Sequence, residues 1–161
     1  DNVILLTGVC MKVSSEISSG LSSLVQVHGT ILQQLRIHKN ICKLWGYEKL
    51  AAVISNQSDS VCQHLDKLIT MMLREEYNFD LQNLNKLNIG QTVEEIMVSD
   101  RTMAESCRDL SAKLTFISQD LEIRKVLEEM AMLQKYYANS LSQQLELVRQ
   151  MGTQFYLATR C

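Results

Sequence analysis

The chain contains no proline and only six glycines in 161 residues. Proline fixes φ and removes a backbone donor, so a chain without it can form long uninterrupted helices. Apolar residues, 46% of the total, recur along most of the chain at the period of an amphipathic helix. The sequence therefore predicts an all-α protein. Its length predicts one domain over residues 1–161, with residues 1–12 as an N-terminal extension.

Four segments carry this helical period. The first runs from about Ser14 to Leu44, and the second from about Glu48 to Arg74. The third begins near Thr92, and the fourth runs from near Gln119 to the break at Met151-Gly152. A short apolar tail follows this break and predicts a brief fifth helix.

The third segment has a specific start signal. Thr92 is a good N-cap residue, and Glu95 stands three residues further on. This is the spacing of a capping box, in which each side chain binds a backbone amide near the other.

Residues 75–91 separate the second and third segments and lack a helical period. Leucines still recur regularly there, at Leu81, Leu84 and Leu87. A segment of this length with placed leucines predicts an ordered crossover packed along a four-helix bundle. Periodicity and crossover length leave two plans open, the ferritin-like and the cytokine-like bundle.

Charge and cysteine usage restrict the function further. The formal net charge is −2, which predicts no nucleic-acid partner. No apolar run is long enough for a transmembrane segment. Five cysteines stand at wide spacings without a CxxC pair, which indicates free thiols in a reducing compartment and disfavours a secreted cytokine. We expect a cytoplasmic protein, or an organelle-matrix protein if a targeting peptide preceded Asp1.

Two segments, before and at the start of the third helix, have a specific sequence: Leu81-Gln-Asn-Leu-Asn-Lys-Leu-Asn-Ile-Gly90 and Val93-Glu-Glu-Ile-Met-Val-Ser-Asp100. Together with shorter motifs in the same order along the chain, they resemble bacterioferritins. Trp45-Gly46 resembles the end of that family's first helix, and Met151-Gly152 resembles the join to its fifth helix. The resemblance implies a ferritin-like four-helix bundle with a long crossover between its second and third helices and a short C-terminal fifth helix.

The resemblance also implies where a di-iron centre would lie. That family takes one carboxylate from each of the first and third helices and a Glu-x-x-His pair from each of the second and fourth. No Glu-x-x-His occurs in this chain. The corresponding positions hold His28, Val61 with His64, Ala104, and Gln134 with Tyr137. Hard iron ions need carboxylate oxygens to balance their charge, so the sequence predicts no catalytic iron centre.

Three interpretations of these positions remain open. His28, His64, Gln134 and Tyr137 could form a neutral hydrogen-bond network inside the bundle. His28 and His64 could instead be the remnant of a metal site that binds a single ion. The alignment could also be displaced.

Haem is the second cofactor that the resemblance implies. The family binds haem b between twofold-related subunits, through a methionine of the second helix. That position is Cys62, whose thiolate is a ligand that haem iron accepts. An interface thiol or a small apolar residue is the alternative role of Cys62. Neither haem nor iron is therefore assigned to this chain itself, although both could be present through an assembly.

These observations favour a non-catalytic bacterioferritin-like subunit that forms the shell of an iron-storage assembly. Its partners would be homologous ferritin-like subunits, in a homo- or hetero-oligomer with twofold pairing and active neighbours. The alternative is a ferritin-like bundle recruited as a structural accessory subunit of another large complex of unrelated chains, for example an organellar one. An independent ferroxidase ranks third. In the first two cases we expect Phe155, Tyr156 and Leu157 to be buried against a partner.

Overall fold

The computed structural model describes the backbone of residues 2–161 and the side chains from Ser15 onward. Every regular element in this range is a helix. The helices are α1 (Asn2–Leu44), α2 (Glu48–Arg74), α3 (Val93–Ile117), α4 (Leu121–Met151) and α5 (Thr153–Ala158). The predicted all-α bundle with four long helices and a short fifth is confirmed.

α1 begins at Asn2, earlier than the predicted start near Ser14. No proline interrupts residues 2–13, and nothing else in the sequence stops the helix there. The idea that residues 1–12 form an extension concerns Asp1 and side chains outside the described range, so it stays a prediction.

The long helices pack in two antiparallel pairs, α1 with α2 and α3 with α4, while α1 and α3 join the pairs. The tight turn after α1 relies on Gly46, whose φ of 86° favours glycine. The predicted stripes face one shared core. Its fully buried members include Leu21, Leu24, Leu35, Leu68, Met72, Ile96, Leu114 and Leu127.

The helix starts follow capping chemistry. Thr92 Oγ1 accepts the Glu95 amide at 3.1 Å, which confirms the predicted N-cap of α3. The Glu95 carboxylate accepts the amide of Gln91, one residue before the cap. α4 begins at Leu121 and not near Gln119, because the Asp120 carboxylate accepts two amides of the first turn, each at 2.9 Å.

The C-terminal tail differs from the expectation. Tyr156 is buried within its own bundle, where its hydroxyl donates to Gln144 Oε1 at 2.8 Å. Arg160 donates to the same oxygen and lies over the Tyr156 ring. The expectation that Tyr156 is buried against a partner is therefore wrong, because helices of its own chain cover it. Phe155, 70% exposed, remains available.

None of the helices in the described part of the chain is both long and apolar enough to cross a bilayer.

Candidate functional site

The positions implied by the bacterioferritin resemblance lie mostly in the bundle interior. His28, Val61, Ala104 and Gln134 are all buried, whereas His64 and Tyr137 are half-buried. None of these six residues has a carboxylate. Among the described side chains, no group of three His, Cys, Asp or Glu residues lies close enough together to hold a metal ion. The residues present therefore do not fit a di-iron centre.

His28 is held as a neutral ring. Its Nδ1 donates to the Leu24 carbonyl at 2.9 Å, so its Nε2 carries the lone pair. Burial, with a smaller contribution from the neighbouring His64, lowers the pKa of His28 to about 4, although the hydrogen bond to the Leu24 carbonyl acts in the opposite direction. Since the ring has no carboxylate beside it, protonation would leave a buried charge without a counterion.

The thiol of Cys107 lies beside this ring. Its Sγ lies 3.8 Å from Nδ1 and 3.9 Å from Nε2 of His28. A sulfur almost equidistant from both nitrogens does not lie along the Nε2 lone pair, so the two side chains are not arranged as a pair of metal ligands. Burial raises the pKa of the Cys107 thiol to about 12, which keeps it protonated.

The expected hydrogen-bond network among the four polar side chains does not form. Both polar atoms of buried Gln134 lack a protein partner, and so does Nδ1 of His64. His28 bonds to its own helix instead. Burial and nearby Lys67 lower the pKa of His64. The interior at these positions is thus polar, uncharged and only partly hydrogen-bonded.

A second polar cluster, which the motif reasoning missed, lies about one turn away along the bundle. We call it the α1 ladder: Thr30, Gln34 and His38 are spaced four residues apart on one face of α1. Each side chain accepts a backbone amide of the crossover. The donors are Asn85 at 2.8 Å, Asn88 at 2.9 Å and Gly90 at 3.1 Å, respectively.

Asp100 of α3 completes this cluster. Its Oδ1 accepts Gln34 Nε2 and His38 Nδ1, each at 2.8 Å. Asp100 is buried, and these two donors offset the cost of its burial. A sequence signal existed: His38 and Asp100 both fall on the apolar stripes of their helices, His38 between Leu35 and Cys42.

Asp100 also lines a cavity of about 230 Å³ between α2, α3, α4 and α5. Its other polar walls include Gln57, Gln144 and Arg160. Gln57 and Asp100 lie four residues before Val61 and Ala104, and Tyr137 borders the cavity directly. The cavity therefore adjoins the positions where the resemblance implies iron.

Cys62, the position implied for haem, is exposed on α2. Asp59 and Asp66 lie one turn away on the same side of the helix, and both are exposed. Two carboxylates flanking the thiol do not fit the apolar slot that a porphyrin occupies. Cys62 is thus an accessible surface thiol.

Comparison with known proteins shows that the chain is similar to bacterioferritins. No protein-family model matches the chain. A bacterioferritin of Brucella melitensis is 26% identical over 132 residues, which cover 78% of this chain and 80% of the relative. Bacterial ferritins of Synechocystis and Pseudomonas aeruginosa are 25% and 26% identical over 154 residues, 93% of this chain and 99% of each relative.

A solved structure agrees with these similarities. The bacterioferritin of Rhodobacter capsulatus matches with a TM-score of 0.88 at 21% identity, covering 91% of this chain and 94% of that one. That structure has a metal-free dinuclear site and a haem iron in a crystallographic special position. The chain described here has a bacterioferritin-like fold.

Proposed function

We propose that this chain is a non-catalytic, shell-forming subunit of a bacterioferritin-like iron-storage assembly and works beside subunits that oxidise iron. One observation carries the proposal: the side chains at the implied iron positions include no carboxylate, and four of the six are buried. His28, His64 and Gln134 are neutral donors and acceptors only. Two iron ions among them would carry a large charge with no anion in a low-dielectric interior.

The side chains at the implied carboxylate positions are compatible with an uncharged interior. Val61 and Ala104 supply apolar packing, and the low pKa of His28 keeps that ring neutral at physiological pH. We infer that His28 and His64 are remnants of an ancestral site without a metal of their own. Iron and haem would then reach the assembly through other subunits.

The outer surface supports a role in assembly. Phe155 of α5 and several apolar side chains of the other helices stand largely exposed, and single chains rarely leave such groups uncovered together. We propose homologous ferritin-like subunits as the partners. The alternative, a recruited structural subunit of another large complex, shares the same interior and differs only in what covers this surface.

Iron oxidation tests the non-catalytic role. Purified protein is mixed with ferrous iron in air, and the ferric product is followed by absorbance. We expect a rate equal to that of the buffer alone. A saturable oxidation with two irons bound per subunit would overturn the proposal.

A restored variant is the positive control. It carries His28→Glu, Val61→Glu, Ala104→Glu, Gln134→Glu and Tyr137→His. If the positions are assigned correctly, iron binding should increase over the parent chain while circular dichroism still reports a helical bundle. A folded variant that binds no more iron than the parent would contradict the assignment.

Native mass of the particle isolated from its source separates the two assembly candidates. A closed particle made only of subunits on this fold supports the shell. One or two copies among unrelated chains support the recruited bundle.

A further inference from the structure

The cavity of about 230 Å³ beside Asp100 is lined by two buried polar side chains whose hydrogen-bonding capacity is not fully used. Asp100 is 3% exposed, and its Oδ1 accepts hydrogen bonds from both His38 and Gln34. No donor in the described part of the chain reaches its Oδ2. Gln57, 4% exposed, likewise makes no side-chain hydrogen bond to a described residue. Buried polar groups are ordinarily paired, so an occupant of the cavity must supply the missing partners.

Aromatic and aliphatic side chains form most of the remaining wall. Tyr136 and Tyr137 of α4 meet edge to face, with ring centroids 5.4 Å apart. The aliphatic members of the wall are Leu50, Ile54, Ile96, Met97 and Leu141. Apolar walls with a few fixed polar groups are typical of small-molecule sites, and aromatic side chains pack well edge-on against a flat ring. These walls therefore suit a flat and largely apolar occupant.

The cavity opens to solvent between α2 and α4. Val53 of α2 and Tyr136 of α4 both line it, and they are 55% and 65% exposed. A small molecule can thus enter without unfolding of the bundle. An apolar protein cavity of about 150 Å³ binds benzene, whereas drug-sized ligands occupy pockets of about 300 Å³ or more. The volume of this cavity therefore fits a molecule of one or two fused rings.

The two charged side chains on the described wall have opposite signs. Asp100 carries the carboxylate, and Arg160 carries a guanidinium that donates to Gln144 Oε1 at 2.7 Å and lies over the Tyr156 ring. Their formal charges sum to zero across the cavity. A charged ligand would bring an uncompensated charge into a largely apolar space, so the wall favours a neutral one.

We propose that this cavity binds a neutral nitrogen heteroaromatic molecule of one or two fused rings. Its N–H donates to Oδ2 of Asp100, and a second ring nitrogen accepts from the amide of Gln57, which can present either its NH2 group or its oxygen. His38 and Gln34 hold the Asp100 carboxylate in place before the ligand arrives, so little ordering is needed on binding. This site goes beyond the proposed function and does not depend on it, because it requires neither iron nor a partner subunit.

Two bicyclic probes of nearly identical shape test the contact with Asp100. Benzimidazole has one N–H group and one ring nitrogen that accepts. In benzoxazole an oxygen replaces the N–H, so no donor is left for Asp100 Oδ2. Calorimetric titration of the full chain at pH 7.5 should show saturable binding of benzimidazole, and binding of benzoxazole at least about tenfold weaker. No saturable binding of benzimidazole, as expected if water alone fills the cavity, or equal affinities of the two probes, would overturn the proposal.

Asp100→Asn should abolish the preference between the probes. The asparagine oxygen stays on His38 and Gln34, because both of these side chains donate, so its NH2 group takes the place of Oδ2. That group donates to the ring nitrogen that both probes share, and the two should then bind equally well. Circular dichroism checks that the variant folds. A folded Asp100→Asn protein that keeps the original preference would contradict the contact.

A cavity-filling substitution tests the location independently of Asp100. Ser140 lines the cavity, whereas neighbouring Asn139 is exposed and does not. Ser140→Phe places a ring in the space of the ligand and should weaken benzimidazole binding at least about tenfold. Asn139→Phe is the matched control and should leave the affinity unchanged. Full binding to Ser140→Phe, or an equal loss in both variants, would reject the site.

Discussion

The Nδ1 atom of His38 lies 2.8 Å from Oδ1 of Asp100, while Nε2 of the same ring accepts the Gly90 amide at 3.1 Å. The second contact fixes the tautomer of the neutral ring, because a nitrogen that accepts a hydrogen bond carries no proton. Nδ1 therefore donates to the carboxylate. One imidazole thus joins α1, α3 and the end of the crossover.

His38→Ala should destabilise the protein by about 3 kcal/mol, since it removes both contacts and leaves the Asp100 carboxylate with one donor fewer. Urea unfolding measures the loss. Hydrogen exchange should also speed up at the Gly90 amide, which loses its acceptor. Asn40→Ala, on the same helix but exposed, serves as the control and should change the free energy of unfolding by less than about 0.5 kcal/mol. Equal effects of the two substitutions would contradict this role of His38.

Gly90→Ala should also be costly, for a steric reason. A Cβ at Gly90 would overlap the Ile96 nitrogen and lie 2.7 Å from the Glu95 carbonyl carbon, and both are backbone atoms that cannot rotate away. Gly46→Ala meets nothing within 4 Å and carries only the strain of its positive φ, worth about 1 kcal/mol. Thermal unfolding should therefore rank Gly90→Ala as the less stable variant, and the opposite order would refute the close approach.

The buried His28 ring predicts a pH dependence of stability. The folded pKa, about 4, is below the ordinary value of 6.5, so the unfolded chain binds the proton first as the pH falls. The neutral His28 ring therefore makes its full contribution to the free energy of unfolding above pH 6.5, and this contribution declines toward pH 4. By pH 5 about 2 kcal/mol should be lost. His64, whose pKa is also lowered, adds to the loss in the same direction.

Urea unfolding at pH 7.5 and pH 5 measures this decline. His28→Gln should flatten it, because glutamine does not titrate. His64→Gln is the comparison for the second ring. A His28→Gln protein that keeps the full decline would show that other groups are responsible.

Phe155→Asp should disrupt assembly without unfolding the subunit, because Phe155 is exposed whereas neighbouring Tyr156 is locked in its own core. Native mass spectrometry reports particle size, and thermal unfolding reports subunit stability. Leu73→Asp is the matched control, because Leu73 at the end of α2 is 63% exposed, close to the 70% of Phe155. Deletion of the whole tail would be less informative, since it removes the Tyr156 and Arg160 contacts inside the subunit. A particle of unchanged size in Phe155→Asp would exclude α5 from the contact.

The helices were predictable because their signals are local. The end of α2, the Thr92 cap and the break at Gly152 each depend on a few adjacent residues. The burial of Tyr156 within its own bundle was not predictable. The sequence pattern of apolar residues in a short tail is the same whether their own bundle or a partner covers them. The partners of His38 were also hidden, because Asp100 lies 62 residues away and Gly90 contributes only its backbone.

The later part of the crossover is anchored on α1 through its own amide groups. Asn85, Asn88 and Gly90 offer main-chain N–H groups to the α1 ladder, while most side chains of the segment turn toward solvent. Every amino acid except proline supplies a main-chain N–H group, so the path of this part of the segment depends little on which residues occupy it. Apart from Gly90 and the rings of Tyr77 and Phe79, which pack against the core, the exposed positions of the segment can vary, or carry a designed epitope, without altering its path.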